Sequence, residues 1–170
     1  DGLSVRINFT PDFKKPPLHY WLTAGALAVM DDRMAAARLW SLLFGAGCIM
    51  ATAWVASGVV GRGAILAPII SAVLVASCVH LWRSSGAALL DTGMAFFALS
   101  GVGCILRARA DSRWWLGWGA ASACGALHKA GLALPYGALT VVALWPEFAA
   151  SRFWRTRGFW FGLCVAGAGF

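Results

Sequence analysis

The charges of this chain fall in short clusters, and the stretches between them carry none. No Asp, Glu, Lys or Arg occurs from Leu39 to Val60, from Gly63 to Trp82, from Thr92 to Leu106 or from Trp114 to Leu127. Crossing the hydrocarbon core of a bilayer takes about 20 apolar residues of helix. Inside lipid every backbone N–H and C=O must find its partner within the protein, which leaves helices or a closed barrel. The alternating pattern of a membrane barrel is absent, so the runs are expected to be helices. Composition agrees, with 60% hydrophobic residues and a mean hydropathy of +0.72. Charged residues make up 12%, against about 25% in a soluble domain.

The expected fold class is therefore all-α, a polytopic transmembrane helix bundle forming one domain over residues 1–170. Residues 1–34 read as an extracytoplasmic loop with one short helix, Leu18 to Met30. That helix is too short to span, and it opens on His19, Tyr20 and Trp21; Tyr and Trp favour the membrane interface, where this helix is placed. Residues 35–170 read as transmembrane helices. Full spans are expected at Ala35–Val60, Ala64–Trp82, Asp91–Leu106, Trp114 to near Leu127, and from after Gly131 to near Ala150. A sixth begins at Gly158 and is cut short at Phe170. The first residue is Asp, in a polar stretch without a signal peptide, so the chain is expected to be an internal piece of a longer protein.

Alternating spans sort the loops onto two sides. One side receives Arg62, Arg107, Arg109, Arg113, Arg152, Arg155 and Arg157. The other receives the N-terminal stretch, the segment from Asp31 to Arg38, the segment from Arg83 to Asp91, and His128-Lys129. In the loops between spans the Lys and Arg count is seven against four, which makes the arginine-rich side cytoplasmic. The cysteines Cys48, Cys78, Cys104, Cys124 and Cys164 are dispersed among the apolar runs, with no CxxC and no Cys/His cluster. They read as small apolar residues packed between helices rather than a disulfide framework.

The extracytoplasmic side holds the candidate chemistry. All three lysines, Lys14, Lys15 and Lys129, lie there, in a chain with 14 Lys and Arg together. Asp91 lies there too, at the mouth of a span between Leu89-Leu90 and Thr92-Gly93-Met94. An acid in that position is costly unless it is paired or faces water, which marks it as a functional candidate. The competing reading is a helix N-cap. Lys129 is open to a plain reading as a side chain snorkelling to the interface.

Lys15-Pro16-Pro17-Leu18-His19-Tyr20-Trp21-Leu22 resembles the KPPLxYWL signature of bacterial membrane glycosyltransferases of the GT-C fold, the family of aminoarabinose transferases and relatives of protein mannosyltransferases. Phe13 lies two residues before the motif lysine, and Arg38-Leu39 opens the next span, as in that family. Asp91 followed by Phe96-Phe97 resembles its D-x-x-x-x-F-F pattern, and Lys129-Ala130-Gly131 its KGP hairpin. The resemblance covers essentially all of the chain and about the first half of a family member. Two positions depart from it: Lys14 stands where relatives often carry Glu, and Lys-Ala-Gly replaces Lys-Gly-Pro.

The resemblance implies a glycosyltransferase of the bacterial inner membrane with its active face extracytoplasmic. Its donor is a sugar on a polyprenyl phosphate, and its acceptor is a lipid such as lipid A, a protein or another glycan. Such a donor needs no nucleotide-sugar pocket, and the sequence has no Gly-rich phosphate loop at a strand–helix junction. Nucleic acid is not an expected partner. Lys15 is expected to meet the donor phosphate, with Lys14, Arg83 and Lys129 as further candidates. Asp91 is expected to orient the acceptor or to hold a divalent cation. The family also places a catalytic Asp in a loop that would lie upstream of Asp1, so this piece alone is expected to be inactive. A transporter, or an assembly subunit held only by helix packing, are the rival readings.

Overall fold

The computed structural model describes residues 6–7, 10–11, 16–61, 63–129 and 133–169. The architecture is all-α apart from one small antiparallel pairing of β1 (Arg6–Ile7) with β2 (Thr10–Pro11). The helices follow in order: α1 (Leu18–Val29), α2 (Arg33–Val60), α3 (Leu66–Ala76), α4 (Val79–Gly86), α5 (Asp91–Ala108), α6 (Trp114–His128), α7 (Ala133–Ala143), α8 (Trp145–Ser151) and α9 (Arg157–Gly167). A single 3₁₀ turn, Phe153–Arg155, links the last two.

α2 is the spine. Asp32 starts it by accepting from the backbone N–H groups of Met34 and Ala35 at 2.8 and 3.1 Å, satisfying donors that a helix start leaves free. Gly61, at φ 82°, ends it in a conformation that favours glycine. At 28 residues it rises about 42 Å, enough to cross a bilayer. Among the described helices α2 alone has the length and hydropathy of a crossing, and α3 with α4 reaches that length as a bent pair.

That bend corrects the expectation of one continuous run from Ala64 to Trp82. α3 and α4 meet at 58°, because Cys78 is extended and interrupts the ladder between them. The Ala76 carbonyl is taken by the Trp82 indole N–H instead. α4 then continues through Arg83, Ser84 and Ser85, so the segment expected as a loop from Arg83 begins in a helix. Ser85 is buried against α2, where a Cβ at Gly45 would overlap its hydroxyl. The expected fifth run is also divided, at Leu144, between α7 and α8.

α5 packs between α2 and α6, and α6 packs on α9. Glycine makes the last contact close: a Cβ on Gly119 would strike the Gly162 backbone, and one on Gly162 would strike the Trp115 carbonyl. Small residues that let helix backbones approach are the usual currency of packing in lipid. Aromatic side chains fill both ends of the bundle. Trp115, Trp118, Phe148 and Phe153 form the core near the arginine loops. Phe44, Phe96, Phe97 and His128 gather at the other end. The outward face of α3 (Leu66, Ile69, Ile70, Val73, Leu74) is apolar and exposed, and no residue of that helix is buried.

Candidate functional site

The site is built where α5 begins and α6 ends. The chain leaves α4 through Ala88, at φ 56°, and turns into α5. The turn is fastened to α2: Ser41 Oγ donates to the Leu89 carbonyl at 3.1 Å, and Cys48 Sγ donates to the Thr92 carbonyl at 3.4 Å. Thr92 Oγ1 also donates to Leu89 O, at 3.2 Å. Leu90, not Asp91, occupies the cap position of α5, and no side chain caps it. The N-cap reading of Asp91 is thereby corrected. Its carboxylate sits in the first turn, favourable for the helix dipole, and is turned to a neighbouring helix.

That neighbour is Lys129. Its ammonium donates to Asp91 Oδ1, and both side chains remain about half exposed. The two residues singled out separately in the sequence are therefore partners. Immediately beneath them, His128 is fully buried and its Nε2 donates to the Leu90 carbonyl at 3.1 Å. The carbonyl can only accept, so Nε2 carries a proton.

α1 closes the same end. It docks on α2 through the Trp40 indole, which donates to the Leu22 carbonyl at 2.6 Å. His19 is buried and meets the His128 ring edge-on, with centroids 5.2 Å apart. Burial holds the His19 imidazole below its ordinary pKa. Trp21 and Val29 remain exposed, as suits a helix lying at an interface.

The remaining sequence candidates divide. Arg83 is exposed in the last turn of α4, close in sequence to Asp91. Lys14 and Lys15 lie outside the described residues, as does the Ala130-Gly131 turn after Lys129. Among the described residues no group of three His, Cys, Asp or Glu side chains is disposed to hold a metal ion. His19 and His128 were missed as site residues. Nothing in their spacing marks them, because each stands alone at the edge of an apolar run.

A large cavity, about 1120 Å³, lies at the far ends of α2 and α5, lined by Ser57, Arg107, Arg109, Trp114 and Glu147 among others. Its arginines are engaged within the protein. Arg107 donates to Trp54 O and Ser57 Oγ, and Arg109 pairs with Glu147 at 2.6 Å. With α5 18 residues long, the cavity stands roughly 27 Å from Asp91.

The dolichyl-phosphate-mannose-protein mannosyltransferase family model matches residues 14–170. The chain belongs to this family. It is a membrane glycosyltransferase of the GT-C type, which implies a lipid-linked sugar donor and an acceptor. Neither the curated proteins nor the solved structures contain a match to the chain. The family match begins at Lys14, so it includes the Lys-Pro-Pro-Leu segment, Asp91 and Lys129 alike.

Proposed function

We propose that this mannosyltransferase-family chain takes part in sugar transfer from a polyprenyl-phosphate donor to an acceptor hydroxyl at the extracytoplasmic face of a bacterial inner membrane. In this reading α5, α6, α7 with α8, and α9 join α2 and the α3–α4 pair as membrane crossings. The acceptor is lipid A, a protein or another glycan. The observation that carries the proposal is the pairing of Asp91 with Lys129 at the end of the bundle where α1 docks.

The chemistry follows from what such a transfer needs. The acceptor oxygen attacks the anomeric carbon, the bond from that carbon to the phosphate oxygen breaks, and the lipid phosphate leaves with the electron pair. Cations must meet the phosphate as its charge grows. Lys15 is assigned as the first, with Lys14, Arg83 and Lys129 as further candidates. A base must take the acceptor proton, and Asp91 is assigned to orient the hydroxyl that gives it up. In the resting pair Lys129 occupies Asp91. A donor phosphate that draws Lys129 away leaves the carboxylate free to act.

A transporter would put its charges where helices break in mid-membrane. The α3–α4 break at Ser77 and Cys78 carries none, and the described candidates Arg83, Asp91 and Lys129 stand at helix ends. Purified full-length protein, supplied with a defined polyprenyl-phosphate sugar and candidate acceptors, is expected to release polyprenyl phosphate in step with glycosylated product. Solute uptake by proteoliposomes without any such release would replace the glycosyltransferase with the transporter.

A further inference from the structure

The exposed pair of Asp91 and Lys129 does not hold two helix ends in register by itself, since a solvent-exposed ion pair contributes about 0–1 kcal/mol. What lies under it is more rigid. His128 precedes Lys129 and Leu90 precedes Asp91, so the hydrogen bond from His128 Nε2 to Leu90 O joins the two residues next to the ion pair. Leu90 O also accepts the first helical bond of α5, from Met94 N at 3.2 Å. The first turn of α5 is cut away for the ring, because a Cβ at Gly93 would overlap the His128 imidazole.

The walls of this slot come from three other side chains. His19 of α1, Phe44 of α2 and Phe97 of α5 lie at centroid distances of 5.2, 5.1 and 5.8 Å from the His128 ring, all steeply inclined to it. One buried ring therefore touches the helix that follows Lys15, the helix that starts at Asp91 and the helix that ends at Lys129. We infer that His128 is a positioning residue: it sets the spacing of Asp91 and Lys129 and ties α1 to them through His19. The inference rests on the glycosyltransferase reading for its effect on transfer, but not for its effect on geometry.

Both effects are measurable in the full-length protein in native membranes. A carbodiimide joins a carboxylate to an amine only at contact, so the wild type is expected to give an Asp91–Lys129 isopeptide, read by mass spectrometry after proteolysis. His128→Asn keeps a buried amide but falls short of Leu90, whereas His128→Gln reaches that carbonyl. The Asn variant is expected to lose the crosslink and about a hundredfold in kcat, the cost of misplacing reacting groups by about an ångström. The Gln variant is expected to recover most of both. Gly93→Ala, which displaces an intact ring, should behave like His128→Asn and supplies the test if the latter does not accumulate. An undiminished crosslink and kcat in the folded variants overturns the inference, as does failure of His128→Gln to restore either. A wild type that crosslinks but transfers no sugar counts against the proposed activity and leaves the positioning role to be judged on the crosslink.

Discussion

Asp91 and Lys129, separated by 38 positions in sequence, form an ion pair that joins the first residue of α5 to the residue that ends α6. Because both side chains are about half exposed, breaking the pair is expected to change stability by less than about 1 kcal/mol. Transfer should respond far more strongly if Asp91 orients the acceptor, since misplacing a reacting group by about an ångström costs about a hundredfold. Asp91→Asn is therefore expected to keep its thermal midpoint in detergent while losing sugar transfer. Exchanging the charges, with Asp91→Lys and Lys129→Asp together, should rebuild the pair but not the activity. Recovery of transfer in the exchanged protein would make the pair a structural tie.

The two ends of the bundle are expected to face opposite compartments. Ser85 is buried, whereas Ala87 and Ala110 are exposed in the turns at either end of α5. With the five native cysteines replaced, Ala87→Cys should react with an impermeant thiol reagent in intact cells. Ala110→Cys should react only after permeabilisation. Labelling of both from one side would mean that α5 does not cross.

The contact between α6 and α9 depends on two glycines. Gly119→Ala puts a methyl group into the Gly162 backbone, and overpacking of this kind costs about 1–3 kcal/mol. Gly25→Ala in α1 meets nothing within 4 Å, and in a helix interior the same exchange stabilises by roughly 0.5–1 kcal/mol. Thermal unfolding of the purified protein should move down for the first and stay level or rise for the second. Equal behaviour would show that α6 and α9 are not in close backbone contact.

Much of the frame was legible because apolar runs and charge clusters report directly on helices and their ends. The start of α5 at Asp91 and the end of α6 before Lys129 were both readable in this way. The breaks at Cys78 and Leu144 were not, since neither residue departs from the apolar pattern that surrounds it. Asp91 and Lys129 were recognisable singly, each as an ionisable group at the mouth of a span. Their pairing was not, because it depends on α5 and α6 being antiparallel neighbours with their ends level. His128 shows in the sequence only as the last residue before the Lys129 turn. Its burial depends on the missing side chain at Gly93 and on rings from α1 and α2, contacts that no local pattern encodes.

Lys15 carries the most weight in the proposed mechanism, and the proposal rests on its sequence setting: an ammonium followed by Pro16-Pro17 and by a helix with Tyr20 and Trp21 near its start. The chain otherwise strongly prefers arginine, which makes a lysine here a specific choice. If its charge meets the donor phosphate, Lys15→Ala removes a charge-assisted contact of about 1.5–3 kcal/mol. By transition-state arithmetic that is roughly ten- to a hundredfold in kcat/KM for the donor. Lys15→Arg should recover only part, because a planar fork does not replace a compact point charge. A lysine that merely touches lipid headgroups predicts a small loss that varies with the anionic lipid content of the vesicles. Initial rates of the full-length enzyme against a series of donor concentrations, at fixed lipid composition, separate the two. Unchanged donor kinetics in Lys15→Ala would remove this residue from the site and shift the phosphate contact to Lys14, Arg83 or Lys129.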